Sequence, residues 1–241
     1  MLGVINVLGL ILTAFGATFV LPLATALITS DGTAGTFLLS GLATAGIGFC
    51  IAAATKRHAR ELKPRDGFLL VTLGWALMSA AATMPLLLLI PHLTFTEAYF
   101  ETMSGLTTTG ATMLTGLDHL APAINVWRCS LHWFGGLGII VLAVAVLPLL
   151  GVGGMAIYKA ETPGPMKDDK ITPRITGTAK SLWLVYCAIT AVGIIALRLA
   201  GMSWLDAVCH CFSAVGLGAF STHDANIAYS TPRPSSSRCA P

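Results

Sequence analysis

The 241-residue sequence is 55% hydrophobic and 10% charged, with 14 Lys and Arg against 11 Asp and Glu, a formal net charge of +3. Its mean hydropathy is +0.78. A water-facing surface usually needs about a quarter charged residues, so a soluble globular domain is excluded.

Uncharged runs occupy residues 1–30, 32–55, 67–90 and 129–158. Each exceeds the roughly 20 residues that carry a helix across the hydrocarbon core. Lipid leaves no partner for free backbone polar groups, which favours helices. The short alternating strands of a barrel are absent from the pattern. The expected fold class is therefore an all-α membrane protein. Residues 1–30 lack a basic leading segment and have an apolar stretch longer than a signal peptide's, so they read as a span rather than a cleaved leader.

Charge placement orients these spans. Five of the 14 basic residues lie at 56–65 and five at 159–180, while the connections around Asp31 and at 113–127 hold none. Short basic loops stay cytoplasmic, so both clusters belong inside, residues 91–126 outside, and the N-terminus inside. The segment 160–178 carries Pro163, Pro165 and Pro173 with mixed charge. It reads as an ordered cytoplasmic loop and a candidate docking place for a cytosolic partner. Residues 231–241, TPRPSSSRCAP, have the composition of a disordered tail. The six cysteines show no metal-ligand spacing, and most lie inside apolar segments, where they read as small packed hydrophobes.

Residues 91–126 do not resemble an ordinary loop. Thr94 and Glu97 suit a helix N-terminus, which predicts a short helix through 98–106. A run of Thr and Gly follows, Thr107-Thr108-Thr109-Gly110, and then Asp118 and Pro122. A short helix followed by small extended residues fits a re-entrant pore helix and filter, in which backbone carbonyls and Thr hydroxyls coordinate a dehydrated cation. By itself the four-residue string fits a Thr-rich surface turn better than a filter.

An internal echo shifts that balance. Thr94-Phe95-Thr96-Glu97-Ala98 is matched by Ser203-Trp204-Leu205-Asp206-Ala207, and Ser104 by Ser213, at a spacing of 109. Both copies follow an apolar segment and lead into Gly/Ala-rich strings, and repeats in transporters often place the ion site at their interface. The spacing of 109 sets Ala219 against Gly110. A shift of one residue sets Gly216-Leu217-Gly218 against Thr108-Thr109-Gly110, and is preferred here because it keeps glycine where unusual backbone angles are expected.

Other polar residues have local readings. Arg128 and Arg198 lie at segment ends, where snorkelling to the outer interface is expected. Glu97, Glu101 and Asp206 are candidates for concentrating cations at the outer mouth, with helix capping the plainer role for Glu97 and Asp206. His132 and His210 read as packed, hydrogen-bonded residues. His223-Asp224 either shapes the second loop or caps a turn. An enzyme is not expected, because HExxH and GxSxG are absent and the histidines are scattered.

The strings FETMSGLTTTGAT (100–112), WRCSLHWFGGLGIIVLAVAVLPLLGVGG (127–154), AETPGP (160–165) and GAFSTHDA (218–225) resemble the Trk/Ktr/HKT potassium transporter superfamily, most closely its bacterial TrkH-type members. The resemblance runs to about Tyr229. It implies a preliminary transmembrane helix pair (1–55), a basic cytoplasmic loop (56–66), a first helix–pore loop–helix repeat (67–150), a cytoplasmic loop (151–180) and the start of a second repeat (181–229). Residues 230–241 are a tail outside the family pattern.

The resemblance further implies potassium coordination by Thr108, Thr109 and Gly110 in the first loop and by Gly216, Leu217 and Gly218 in the second. Potassium is the only ion or cofactor it calls for. It also implies a bacterial inner-membrane location, a homodimer in lipid, and a cytosolic nucleotide-binding regulatory ring. No nucleic-acid partner is expected. Ala219 stands where family members often carry glycine. About one and a half of four repeats are present, so the chain reads as a truncated or frame-shifted form, inactive by itself in potassium uptake. The alternative is a non-conducting accessory or assembly subunit. Symport against channel behaviour, and potassium against sodium, stay open at this level.

Overall fold

The computed structural model describes residues 2–58, 64–146 and 171–230. Among them every regular element is a helix: α1 (Leu2–Gly16), α2 (Val20–Thr29), α3 (Ala34–Thr55), α4 (Pro64–Leu89), α5 (Phe95–Leu106), α6 (Pro122–Val146), α7 (Ile171–Leu199) and α8 (Trp204–Val215), with short 3-10 turns between some of them. The chain is an all-α membrane protein. Among the described residues, four segments are long and apolar enough to cross a bilayer: Leu2–Thr29, Ala34–Thr55, Asp66–Leu89 and Ala179–Leu199.

The first span runs through α1 and α2, joined by the 3-10 turn Ala17–Phe19. It packs on α3 through small residues. A Cβ on Gly9 would stand 2.6 Å from the Ala52 nitrogen, and one on Gly48 would stand 2.5 Å from the Thr13 nitrogen. Lipid tails give no hydrophobic reason for apolar helices to associate, so close backbone approach at small residues supplies the attraction. Asn6 adds a polar tie, its Nδ2 donating to the Ala52 carbonyl at 2.8 Å and to Thr55 Oγ1 at 3.1 Å.

Trp127 on α6 locks this pair to the rest. The indole is fully buried among Phe15, Phe19 and Phe37, and its Nε1–H donates to the Ala82 carbonyl of α4 at 3.1 Å. Asp31, in the turn between α2 and α3, caps α6 by accepting from the Ala123 N–H at 3.1 Å. Burial pushes the Asp31 carboxyl up, but hydrogen bonds from Thr33 and Ala123 outweigh it and hold the group below its ordinary value. The Asp31 turn therefore lies on the same side as residues 91–126.

Two helix starts differ from the sequence expectation. Helix α7 begins at Ile171, inside the stretch read as loop, because Pro173 falls in the first turn, where a missing N–H costs nothing. Pro163, Pro165, most of the second basic cluster and the tail from 231 lie outside the described residues. Helix α6 begins at Pro122, with proline at the first helical position. That start carries Arg128 into the second turn rather than leaving it at an end.

Candidate functional site

Two short helices lead into the two loops singled out from the sequence. Helices α5 and α8 have 12 residues each, roughly 18 Å long and too short to cross the roughly 30 Å hydrocarbon core. Their N-termini are capped alike. Thr94 accepts from the Glu97 N–H, and Glu97 returns a bond to the Thr94 N–H, completing a capping box. Ser203 accepts from the Asp206 N–H at 3.1 Å.

Their C-termini also match. Thr107 and Gly216 are the C-caps. Thr108 N–H donates to the Gly105 carbonyl at 3.1 Å and Thr109 N–H to Ser104 at 2.9 Å; Leu217 N–H donates to Ala214 at 3.1 Å and Gly218 N–H to Ser213 at 2.8 Å. These are paired Schellman turns, in which the residue after the cap turns left-handed. Thr108 (φ +57°) and Leu217 (φ +59°) occupy that position. Glycine is usual there, and a non-glycine in the left-handed region marks strain that the surroundings must hold.

The hydrogen bonds thus set the equivalence of the two loops at 109 residues, and the one-residue shift preferred from sequence is corrected. That shift assumed that unusual angles fall on glycine. In the second loop they fall on Leu217, while Gly216 has φ −73° and neither Gly218 nor Ala219 has a positive φ. Gly110 does, at +78°. Its counterpart is Ala219, and the two loops meet there: a Cβ on Gly110 would stand 2.5 Å from the Ala219 nitrogen.

Helix α6 backs both loops. A Cβ on Gly135 would stand 2.8 Å from the Leu106 carbonyl carbon, and one on Gly136 would stand 3.0 Å from the Gly216 Cα. The C-terminal ends of α5 and α8 therefore converge on adjacent residues of one helix. Each end carries partial negative charge, so their convergence favours a cation in front of them. His132, one turn earlier, lies edge-on to Phe220 with ring centroids 4.2 Å apart. A Cβ on Gly218 would stand 2.6 Å from the His132 Cγ. His132 is packed as expected, yet neither ring nitrogen, nor Nε2 of buried His210, has a hydrogen-bond partner among the described residues.

A buried ion pair lies behind the loops. Arg128 is 0% exposed and Glu101 1%, with Arg128 Nε donating to Glu101 Oε1 at 2.7 Å. Arg128 does not snorkel and Glu101 does not face the mouth; both expectations are corrected. The fork also reaches Asn125 Oδ1 (3.3 Å), the Ser221 carbonyl (3.2 Å) and Thr112 Oγ1 (3.0 Å), and stacks 4.5 Å over the Phe220 ring. Glu101 accepts from the Met113 N–H at 2.9 Å and from the Thr112 hydroxyl.

Nearer the surface, His223 pairs through Nδ1 with Asp118 and lies 3.3 Å through Nε2 from Asp206. Asp224 accepts from the Leu117 N–H at 3.2 Å. The hydrogen bond from His223, with the Asp224 N–H behind it, holds the Asp118 carboxyl below its ordinary value. Arg198 is exposed in the last turn of α7, lying over the Trp204 ring at 5.5 Å.

The model of the TrkH family, described as cation transport protein, matches residues 36–233. This chain belongs to the TrkH family. It is 47% identical over 227 residues to the Trk system potassium uptake protein TrkH of Vibrio parahaemolyticus, covering 94% of this chain and 47% of that protein. It is 48% identical over 225 residues to the protein of the same name from Escherichia coli K12, covering 93% and 47%. The crystal structure of the potassium transporter TrkH from Vibrio parahaemolyticus superposes with TM-score 0.82 at 43% identity, over 95% of this chain and 46% of that one. The chain spans about half the length of the curated relatives it matches. A cation transport family with several apolar helices makes this a multi-pass membrane protein of bacterial type, and not an enzyme.

Proposed function

We propose that the two loops line one side of a potassium uptake path, with Thr108, Thr109 and Gly110 facing Leu217, Gly218 and Ala219 as part of a selectivity filter. Gly216, named from the sequence, moves to the helix cap under the corrected register. The observation that carries this reading is the convergence of two half-span helices, ended by matched turns, onto a single contact at Gly110 and Ala219. The similarity to Trk system potassium uptake proteins supports the choice of ion. Backbone carbonyls replacing the hydration shell of a cation are the chemistry such loops supply.

The same reading has residues 1–55 as a preliminary helix pair, 67–150 as a first repeat and 181–229 as the start of a second. The basic segments 56–66 and 151–180 and the N-terminus lie in the cytoplasm of a bacterial inner membrane. Partners on this reading are a second copy of the transporter in lipid and a cytosolic nucleotide-binding ring. Two loops cover only part of the circumference of a cation path, so residues 1–241 by themselves are not expected to take up potassium.

The test is rubidium uptake in potassium-transport-deficient bacteria. The transporter has the full length of the relatives and carries residues 1–230 of this chain in the matching region. Gly110→Val is expected to abolish uptake or erase the preference for rubidium over sodium, because its side chain meets the Ala219 backbone. Unchanged uptake and preference would overturn the filter assignment.

A further inference from the structure

We infer that Arg128 is a positioning residue for cation discrimination, acting as a cross-brace that sets one filter loop against the other. The inference rests on the reading of the loops as a filter. Its basis is where each contact of the guanidinium falls. The loops touch at Gly110 and Ala219. Two residues beyond that contact in the first loop, Thr112 Oγ1 accepts from Arg128 Nη2 at 3.0 Å. Two residues beyond it in the second, the Ser221 carbonyl accepts from Arg128 Nη1 at 3.2 Å. The brace therefore grips both loops at equivalent positions, with Phe220 held under the planar face at 4.5 Å.

Glu101 completes the grip from the first pore helix. It takes Arg128 Nε at 2.7 Å and, through its other oxygen, the Met113 N–H at 2.9 Å. All of this occurs with both side chains essentially without solvent. A buried ion pair is weak evidence for added stability, because well-packed apolar residues often do as well. What a guanidinium provides that apolar packing does not is a rigid planar fork of directed donors. Here the fork links side chain and backbone of two loops 109 residues apart in sequence. Discrimination among cations depends on the spacing and field of the coordinating oxygens, so loss of the brace should appear in the ion ratio.

The experiment measures the rubidium-over-sodium uptake ratio in the transporter of full relative length carrying residues 1–230 of this chain. Membrane abundance of each variant is measured alongside. Arg128→Gln and Glu101→Gln are expected to lower the ratio roughly tenfold, the loss of about one charged hydrogen bond of positioning. Arg128→Lys keeps the charge without the fork and is expected to fall between parent and Arg128→Gln. Thr112→Val removes one bond from each partner without stranding a buried charge, and keeps the question open to measurement if Arg128→Gln fails to insert. It is expected to lower the ratio at parental abundance. A ratio unchanged in Thr112→Val and in every Arg128 variant that inserts, or uptake of both ions falling only with abundance, would overturn the brace. Gly110→Val is the separate arm: an unchanged ratio there would overturn the filter reading itself, and this inference with it.

Discussion

The two loops share a backbone plan but differ in the side chains that hold their turns. In the first, Thr107 Oγ1 donates back to the Met103 carbonyl at 2.8 Å and lies 2.9 Å from Thr109 Oγ1, so the loop is tied by its own hydroxyls. The second has glycine at both equivalent positions, and its support comes from outside, from the His132 ring against Gly218 and the His132 carbonyl beside Gly216. Ser213 Oγ donates to the Phe220 carbonyl at 2.7 Å, whereas its counterpart Ser104 has no partner for its hydroxyl among the described residues. Helix capping and the Schellman turn therefore specify this backbone. The side chains beyond them vary with what packs behind each loop.

The largest effect that would break this contrast is at Gly218. Gly218→Val forces a branched side chain into the fully buried His132 ring and is expected to cost about 3 kcal/mol, while Thr109→Ala, its counterpart, has a small effect. Thermal unfolding in detergent reads both. Adding His132→Ala to Gly218→Val should recover most of the loss, and no recovery would mean that His132 is not the support.

A smaller asymmetry is expected at the paired serines. Ser213→Ala leaves the Phe220 carbonyl without its donor and should cost about 1–2 kcal/mol. Ser104→Ala, removing a hydroxyl with no partner, should be neutral or mildly stabilising. Equal losses in the two variants would show that the loops are held alike.

Leu217→Gly sharpens the common feature instead. It relieves a left-handed φ of +59° at the price of unfolded-state entropy, for a net gain of about 0.5–1 kcal/mol in the same melts. A loss would indicate that the 87%-exposed leucine has a contact that matters more than its strain.

The smallest effect is the pH response of the Asp118–His223 clasp. The Asp118 carboxyl is held below its ordinary value, chiefly by the hydrogen bond to His223. Its contribution is present above the unfolded-state pKa, about 4, and is lost as pH falls through the lower folded-state value. Melting temperature should decline in that acid range with a slope reduced in Asp118→Asn. An identical slope in parent and variant would remove the clasp from the account.

Much of this molecule was decided by local chemistry that the sequence states openly. Long uncharged runs demand spans because lipid satisfies no backbone polar group. Thr94 and Ser203, each with an acid three residues on, announce two short helices because they satisfy free N–H groups. The 109-residue echo announces that those helices belong to one repeated plan. Tertiary structure decided the rest. Arg128 reads as an interfacial cation until Pro122 starts α6 early and carries it over the Phe220 ring, where Glu101 comes from another helix to neutralise it. The second register reads as a question about glycine until the hydrogen bonds place the left-handed turn on Leu217. Gly110 reads as a residue chosen for its backbone angles until Ala219 is found against it, leaving no room for a Cβ. Each of these depends on groups far apart in the chain, whose partnership is made by packing, and no local pattern of residues encodes which distant group arrives.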